Sequence, residues 1–156
     1  MPSANSAFTS QIDIVLSAIN TRLPVTVVIG FDGDVIFTAR SDQLPEVITH
    51  TFDDAGGEHL LTIQLKNKTA LHTQVDEQGN ILADTVINVD KFILDHVNIT
   101  EFFNLGSCNY LYDDSTDADK FWGVLGRNGT VNFAFSSPVY AWLMKHYQHW
   151  TMNENS

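Results

Sequence analysis

Hydrophobic and polar residues alternate along most of the chain with the period of two that is typical of β-strands. The clearest case is segment 58–66, in which Leu61, Ile63 and Leu65 share one face. Similar patterns predict further strands at 11–16, 25–29, 34–39, 46–52 and 130–135. Counting the weaker segments, we expect about eight or nine short strands.

Two turn sequences separate predicted strands. Asp32-Gly33 lies between segments 25–29 and 34–39, and Asn128-Gly129 leads into segment 130–135. Asp-Gly and Asn-Gly pairs accept the positive φ angles that tight hairpin turns require. Both pairs therefore predict tight turns between antiparallel strands.

The longest strand-like run covers residues 84–99. Ile87, Val89 and Ile93 share one face of this run, Lys91 interrupts that face, and the alternation slips near residues 92–94. A slip of this kind often marks a β-bulge or a bend between sheets. We expect one of these features there.

Residues 138–148 are predicted to form the one helix of the chain. Ser137 is expected to be its N-cap and Pro138 its first helical residue, followed by Val139, Leu143 and Tyr147 at a spacing of four. Residues 8–23 also fit a helical period, but the alternation that begins at residue 11 favours a strand.

Together these elements predict an all-β fold, an antiparallel β-sandwich of jelly-roll type with one short C-terminal helix. The chain has 156 residues, the length of one ordinary domain. Residues 1–156 are therefore expected to form a single β-sandwich domain with flexible ends at 1–9 and 151–156.

The charge balance narrows the classes of partner. The chain has 8 Lys and Arg against 19 Asp and Glu, a formal net charge of −11. A surface this acidic repels phosphate backbones and anionic lipid headgroups, so we expect neither a nucleic acid nor a membrane as partner. It suits a binder of cations or neutral sugars, or a soluble component of a particle.

The cysteine content and the N-terminal sequence bear on the cellular compartment in which the chain is made. The single cysteine, Cys108, rules out an intrachain disulfide and a cysteine-based zinc site. Residues 1–10 contain neither a positive charge nor an apolar run, so no signal peptide is predicted. No apolar run approaches the roughly 20 residues needed to span a bilayer. We therefore expect synthesis in a cytoplasm.

An acidic loop is the one candidate metal site. Its carboxylates are those of Asp113, Asp114, Asp117 and Asp119. Calcium prefers six to eight hard oxygen ligands, and these residues could supply several. The EF-hand pattern is absent, and the alternative is a solvated loop between strands. Apart from calcium, the sequence suggests no cofactor.

Aromatic residues are concentrated in the C-terminal half. Tyr110, Tyr112, Trp122 and Trp150 are candidates for a ligand or interface surface, because exposed Tyr and Trp rings stack on sugars and form interface hot spots. The alternative is that they fill the core, which we favour for Trp122 and for Trp142.

The sequence contains no signature of catalysis. It has no Gly-x-Ser-x-Gly elbow and no Gly-rich phosphate loop. The histidines lack the spacing of a helical metal motif, and His59 is expected to bond to backbone. Acidic residues are numerous enough for a glycosidase pair, but short strands leave little room for a deep cleft. We therefore do not expect an enzyme.

Two stretches carry a resemblance to known proteins. They are residues 59–95, with the strands 59–68 and 84–95, and residues 121–143, in which a Gly-x-Asn-Gly turn, an alternating strand and a Ser-Pro-capped aromatic helix follow in order. Together they resemble a small β-sandwich protein found among virion proteins of marine tailed phages, cyanophages included.

That resemblance implies a non-enzymatic structural protein, either a capsid decoration or a tail, neck or fibre component. Its partners would be other virion proteins and further copies of itself, as a homo-oligomer. Its location would be the virion, reached after synthesis in the host cytoplasm.

The first stretch is also similar to calcium-dependent xylan-binding modules. The pattern Leu-x-Ile-x-Leu-x-Asn falls at residues 61–67. The modules' Val-Asp-x-Ile strand corresponds to residues 89–93, where two residues separate Asp90 from Ile93, with Asp90 at the module's Asp. The Arg-Asn pair that precedes this Val in the modules is missing here. This resemblance implies a second hypothesis, a glycan-binding module that uses aromatic rings and calcium, with host-surface glycans as partners.

Overall fold

The described part of the chain forms two large antiparallel β-sheets, a separate two-stranded hairpin and two α-helices. The computed structural model describes the backbone of residues 8–20 and 23–155, and the side chains of that part up to residue 147. The strands are β1 Thr9–Ile19, β2 Thr26–Phe31, β3 Asp34–Arg40, β4 Glu46–Asp53, β5 Gly57–Lys66, β6 Thr73–Val75, β7 Ile81–Asp84, β8 Val86–Leu94, β9 Val97–Asn98, β10 Asn109–Tyr112, β11 Ala118–Lys120, β12 Val124–Leu125 and β13 Gly129–Ser137. The helices are α1 Thr100–Asn104 and α2 Val139–Asn155.

The first sheet has the strand order β12-β8-β1-β4, with β9 paired to β8, and the second has the order β11-β10-β13-β5-β2-β3. Strands β6 and β7 form a separate hairpin. The predicted all-β class, an antiparallel β-sandwich with a C-terminal helix, is confirmed. No described helix has the length and apolar character needed to cross a membrane.

Alternating residues of the central strands form the core, as the period-two pattern predicts. In β5, Leu61, Ile63 and Leu65 are fully buried. Burying such a side chain stabilises the fold by about 1.5–3 kcal/mol. The rings of Phe92 and Phe103 stack beside them with centroids 4.2 Å apart. These side chains join the two sheets into one hydrophobic core.

The N-terminal segment and the first hairpin follow the prediction. Residues 9–19 form β1, which pairs with both β4 and β8, so the strand preferred for this region is confirmed over the helix. Asp32 and Gly33 have φ angles of 51° and 90°, as a tight turn of two left-handed residues requires. This turn places Asp32 at the end of the second sheet.

The run predicted at 84–99 is shorter than expected and bulges at a different place. Val15 pairs with Lys91 while Leu16 pairs with Val89, so Asp90 is an extra residue without a partner in β1. After the extra residue, the side chains of β8 that face the core are the ones the sequence pattern had placed on the other face. Phe92 is therefore buried, whereas the pattern predicted that Ile93 would be.

The strand β8 ends at Leu94 because Asp95 and His96 turn the chain, with φ angles of 49° and 66°. The chain then passes through β9 into α1, a short helix that the sequence did not predict. Its Phe103 is fully buried.

The C-terminal helix begins at Val139, not Pro138, and extends to Asn155, well beyond the predicted end. Its first amide is capped by Asp54 from the loop after β4, and not by Ser137, the predicted N-cap. The Val139 N–H donates to Asp54 Oδ1 at 2.9 Å, and the Ser10 hydroxyl donates to Asp54 Oδ2 at 2.8 Å. The contact spans 85 residues, which local sequence cannot indicate. Flexibility of the predicted ends stays a prediction.

Replacing Asp54 with Ala should remove this cap. We expect the free energy of unfolding to fall by about 1 kcal/mol, the usual cost of losing a helix cap. Asp53→Ala is the matched control, because Asp53 is exposed and its carboxylate accepts the nearby Ala55 N–H. Urea denaturation of both variants checks this. Equal losses would contradict the capping role.

A partly buried ion pair ties the β6–β7 hairpin to the second sheet. The Lys68 ammonium lies 2.7 Å from Asp84 Oδ1 and also donates to the Gly126 carbonyl at 2.6 Å. Burial alone would raise the pKa of Asp84, but the Lys68 ammonium and the Thr73 hydroxyl outweigh it and lower that pKa.

Because the folded pKa of Asp84 is depressed, its contribution to stability is present above the unfolded value of about 3.9 and is lost as pH falls through the folded value. We therefore expect Asp84→Asn to destabilise the protein at pH 7 and to lose this effect on acidification. Melting temperatures of both proteins between pH 7 and pH 2 measure it. A difference that stays constant across this range would exclude the ion pair as its source.

Candidate functional site

An aromatic and polar surface forms at one end of the second sheet, where β10 lies between β11 and β13. A surface cavity of about 230 Å³ opens there. It is lined by Tyr110, Tyr112, Asp119, Lys120, Trp122, Val124, Gly126 and Arg127. We call this the Trp122 surface. Three of the four aromatic residues singled out in the sequence meet at it.

Trp122 is the most exposed aromatic ring of this surface. Its neighbour Phe121 is fully buried, which turns the Trp122 side chain outward, and 60% of Trp122 is accessible. The core position that we favoured for Trp122 is therefore wrong. The ring is nevertheless held in place: a Cβ added to Gly106 would lie 2.9 Å from Trp122 Cη2, and Gly106 has a φ of 89°. Only glycine lets the indole lie this close to the backbone.

Tyr112 lies between a cation and an acid. The guanidinium carbon of Arg127 is 4.1 Å from the Tyr112 ring centroid, within cation–π range. The Tyr112 hydroxyl donates to Asp119 Oδ2 at 3.2 Å. Burial and then Asp119 raise the pKa of Tyr112, so its hydroxyl stays protonated at neutral pH. The surface thus offers a ring, a carboxylate and cations side by side.

Tyr110 supports the surface from below. It is 4% exposed, and its hydroxyl donates to the Arg127 carbonyl and accepts from the Arg127 N–H. Burial raises the pKa of Tyr110 to about 12. Because both bonds go to backbone, Tyr110 positions the turn that carries Arg127.

The acidic loop is arranged around protein partners. Asp114 Oδ1 accepts from Arg127 Nη2 at 2.7 Å, and Asp119 accepts from Tyr112 and from the Lys120 N–H. Asp113 and Asp117 donate their amides to Asn128 and Ser115. Within the described residues, no group of three or more His, Cys, Asp or Glu could hold a metal ion. The calcium site predicted at these four carboxylates stays a prediction.

The remaining aromatic candidates lie elsewhere. Trp142 is half-buried on α2 and packs edge-on against Phe133, with ring centroids 5.5 Å apart, so the core role favoured for it is confirmed. The side chain of Trp150 lies outside the described residues, and its role as a ligand or interface residue stays a prediction.

A second polar group lies at the opposite end of β13, beside a cavity of about 530 Å³. His59 Nδ1 is 2.7 Å from Asp32 Oδ2, and His59 Nε2 is 2.8 Å from Ser137 Oγ. Both ring nitrogens therefore bond to side chains, and the expectation that His59 bonds to backbone is wrong. We call these three residues the His59 relay.

No local sequence motif indicates the His59 relay. The three residues come from the β2–β3 turn, the start of β5 and the end of β13, separated by 27 and 78 residues. Strand pairing alone brings them together, since Ser137 lies opposite Gly57 and Phe31 opposite Leu61. Burial alone would raise the pKa of Asp32, but the hydrogen bonds from His59 and the Leu60 N–H lower it.

No protein-family model matches the chain, and no curated protein matches it. Similar solved structures include the carbohydrate-binding module vCBM60 in complex with galactobiose, at 15% identity and a TM-score of 0.48, covering 79% of this chain and 96% of that one. Another is a selenomethionine form of vCBM60, described as linking two families of calcium-dependent carbohydrate-binding modules by circular permutation. It is 13% identical, with a TM-score of 0.50, and covers 80% of this chain and 89% of that one.

These matches concern the fold. The predicted similarity to calcium-dependent carbohydrate-binding modules is confirmed at that level, through the β-sandwich shared with the second structure. The virion role, virion partners, self-association and virion location stay predictions.

Proposed function

We propose that the protein binds carbohydrate and that the Trp122 surface contacts the sugar. The observation that carries this proposal is the exposed indole of Trp122, fixed against Gly106 and open to solvent over 60% of its area. Beside a surface cavity lined by polar groups, such a ring offers an apolar face next to hydrogen-bonding groups. A sugar ring has an apolar face that can stack on the indole, and polar hydroxyl groups around its edge.

The polar neighbours of Trp122 match the hydroxyl groups of a sugar. Lys120 and Arg127 can donate hydrogen bonds, and Asp119 can accept them. These groups surround a shallow cavity of about 230 Å³, which is smaller than the usual site for a drug-sized ligand. The space suits one or two sugar rings.

The net charge of the protein favours neutral sugars over anionic ones. The chain carries a formal net charge of −11, so an anionic polysaccharide would be repelled as it approached. Two cations lie at the surface, but Arg127 is already paired with Asp114. We therefore propose a neutral glycan as ligand. The fold shared with a carbohydrate-binding module agrees with this class.

Binding should depend on Trp122 and not on exposed aromatic residues in general. On a glycan array that spans neutral plant, algal and bacterial sugars, we expect the protein to bind neutral glycans. Trp122→Ala should weaken binding at least tenfold, about 1.4 kcal/mol, because the stacking partner is removed. Tyr140→Ala is the matched control, since Tyr140 is 71% exposed on α2, and it should bind like the unmodified protein.

A blank array, or equal losses in the two variants, would contradict the proposal. Repeating the titration with calcium and with a chelator tests the acidic loop separately. Chelation that weakens binding or lowers the melting temperature supports calcium at Asp113–Asp119; unchanged values reject calcium and leave the sugar proposal intact.

A further inference from the structure

The Trp122 surface adjoins a groove that lies between β13 and α2. Two cavities form this groove, one of about 320 Å³ beside the middle of β13 and the one of about 530 Å³ near its end. Both cavities are lined by Ala134, Trp142 and His146, so they meet at these residues. We call the two cavities together the α2 groove.

The α2 groove begins where the Trp122 surface ends. Gly106 lies against the Trp122 indole, and the next residue, Ser107, lines the smaller cavity. Asn109 lines the same cavity and is the direct strand partner of Lys120, which lines the Trp122 surface. Partners in an antiparallel pair have Cβ atoms about 5 Å apart on one face of the sheet. The polar lining is therefore continuous from Lys120 into the groove.

We propose that the Trp122 surface and the α2 groove form one track that binds the interior of a long neutral polysaccharide chain. This inference rests on the proposed function and adds the form of the ligand, which is a chain of several sugar rings and not a single terminal sugar. The cavities follow one another along the nine residues of β13, which span about 25 Å. Only an extended chain fills a track of this length.

The wall of the groove offers a second indole. Trp142 packs edge-on against Phe133 and Phe135, with ring centroids 5.5 and 6.2 Å apart, and the His146 imidazole lies 4.9 Å from it. The same indole lines both cavities of the groove. Trp142 is thus fixed by its neighbours and still half-open to the groove, as a ring that stacks on sugars requires.

The smaller cavity supplies uncharged hydrogen-bonding groups. Asn109 and Asn132 lie opposite each other across β10 and β13, and both line this cavity. Among the residues that the structure describes, neither of these side-chain amides has a hydrogen-bond partner, so both are available to a ligand. An amide can donate to one sugar hydroxyl and accept from another.

The larger cavity ends at the His59 relay. His59 and Asp32 line it together with Glu58 and Lys145, and the hydrogen bonds of the relay hold the first two in place. Two carboxylates against one ammonium disfavour an anionic sugar in this part of the groove. The carboxylates can instead accept hydrogen bonds from the hydroxyl groups of a neutral chain.

The test compares the binding of short and long sugars by isothermal titration calorimetry. The probes are the disaccharides and hexasaccharides of xylan, cellulose and mannan. In a series that binds, we expect the hexasaccharide to bind about tenfold more tightly than the disaccharide, because only the longer sugar reaches the α2 groove. Trp122→Ala should weaken the binding of both lengths.

Substitutions in the groove should affect the long sugar alone. Asn132→Ala removes one hydrogen-bonding amide and should weaken hexasaccharide binding about fivefold without changing disaccharide binding. Gln64→Ala is the matched control, because Gln64 places its amide on the same face of the sheet and lines none of the three cavities. Ala134→Leu fills the point where the two cavities meet and should have the effect of Asn132→Ala. Ala118→Leu, on the exposed edge strand β11, should not.

Equal affinity for the two lengths overturns the extended track, and so does hexasaccharide binding that Asn132→Ala leaves unchanged or that Gln64→Ala weakens equally. If disaccharide binding still depends on Trp122 in these cases, the proposed function stands without the track. Absence of binding by all six probes also overturns the track, and the glycan array decides separately whether the proposed function fails with it. Melting curves show whether each variant is folded.

Discussion

The position of β13 between β5 and β10 is the constraint on which both sites depend. All nine residues of β13 have partners in β5, from Gly129 opposite Leu65 to Ser137 opposite Gly57. At its start, Gly129 lies so close to β10 that a Cβ would approach the Leu111 carbonyl to 2.4 Å, which brings Tyr112 to the Trp122 surface. At its end, Ser137 reaches His59. A one-residue shift of β13 against β5 would separate Ser137 from His59, and a shift against β10 would disrupt the Trp122 surface.

The local alternation of hydrophobic and polar residues was sufficient to predict strands that bury one of their two faces. The alternation at 58–66 and the Asp32-Gly33 turn required no knowledge of distant residues. The bulge at Asp90 was misplaced, because its position depends on how β1 pairs with β8 and not on β8 alone. Helix α1 was missed because five residues are too few for a helical period to show.

The same distinction between local and long-range information applies to the two sites. Tyr112 and Trp122 could be singled out because they are large rings close together in the chain, but their exposure depends on Phe121 and Gly106, which only the fold reveals. For the acidic loop, composition does not show that Arg127 bonds to Asp114 and that Tyr112 bonds to Asp119. The His59 relay joins three strand ends, and no local motif marks it.

Native-state hydrogen exchange tests the organising role of β13 most directly. Amides of β13 and β5 lie in the middle of the larger sheet, and one face of both strands is buried, so we expect them to exchange last and only by global unfolding. The β6–β7 hairpin and the edge strand β11 should exchange first. If β13 exchanged as early as those peripheral strands, its pairing could not be what holds the Trp122 surface and the His59 relay in place.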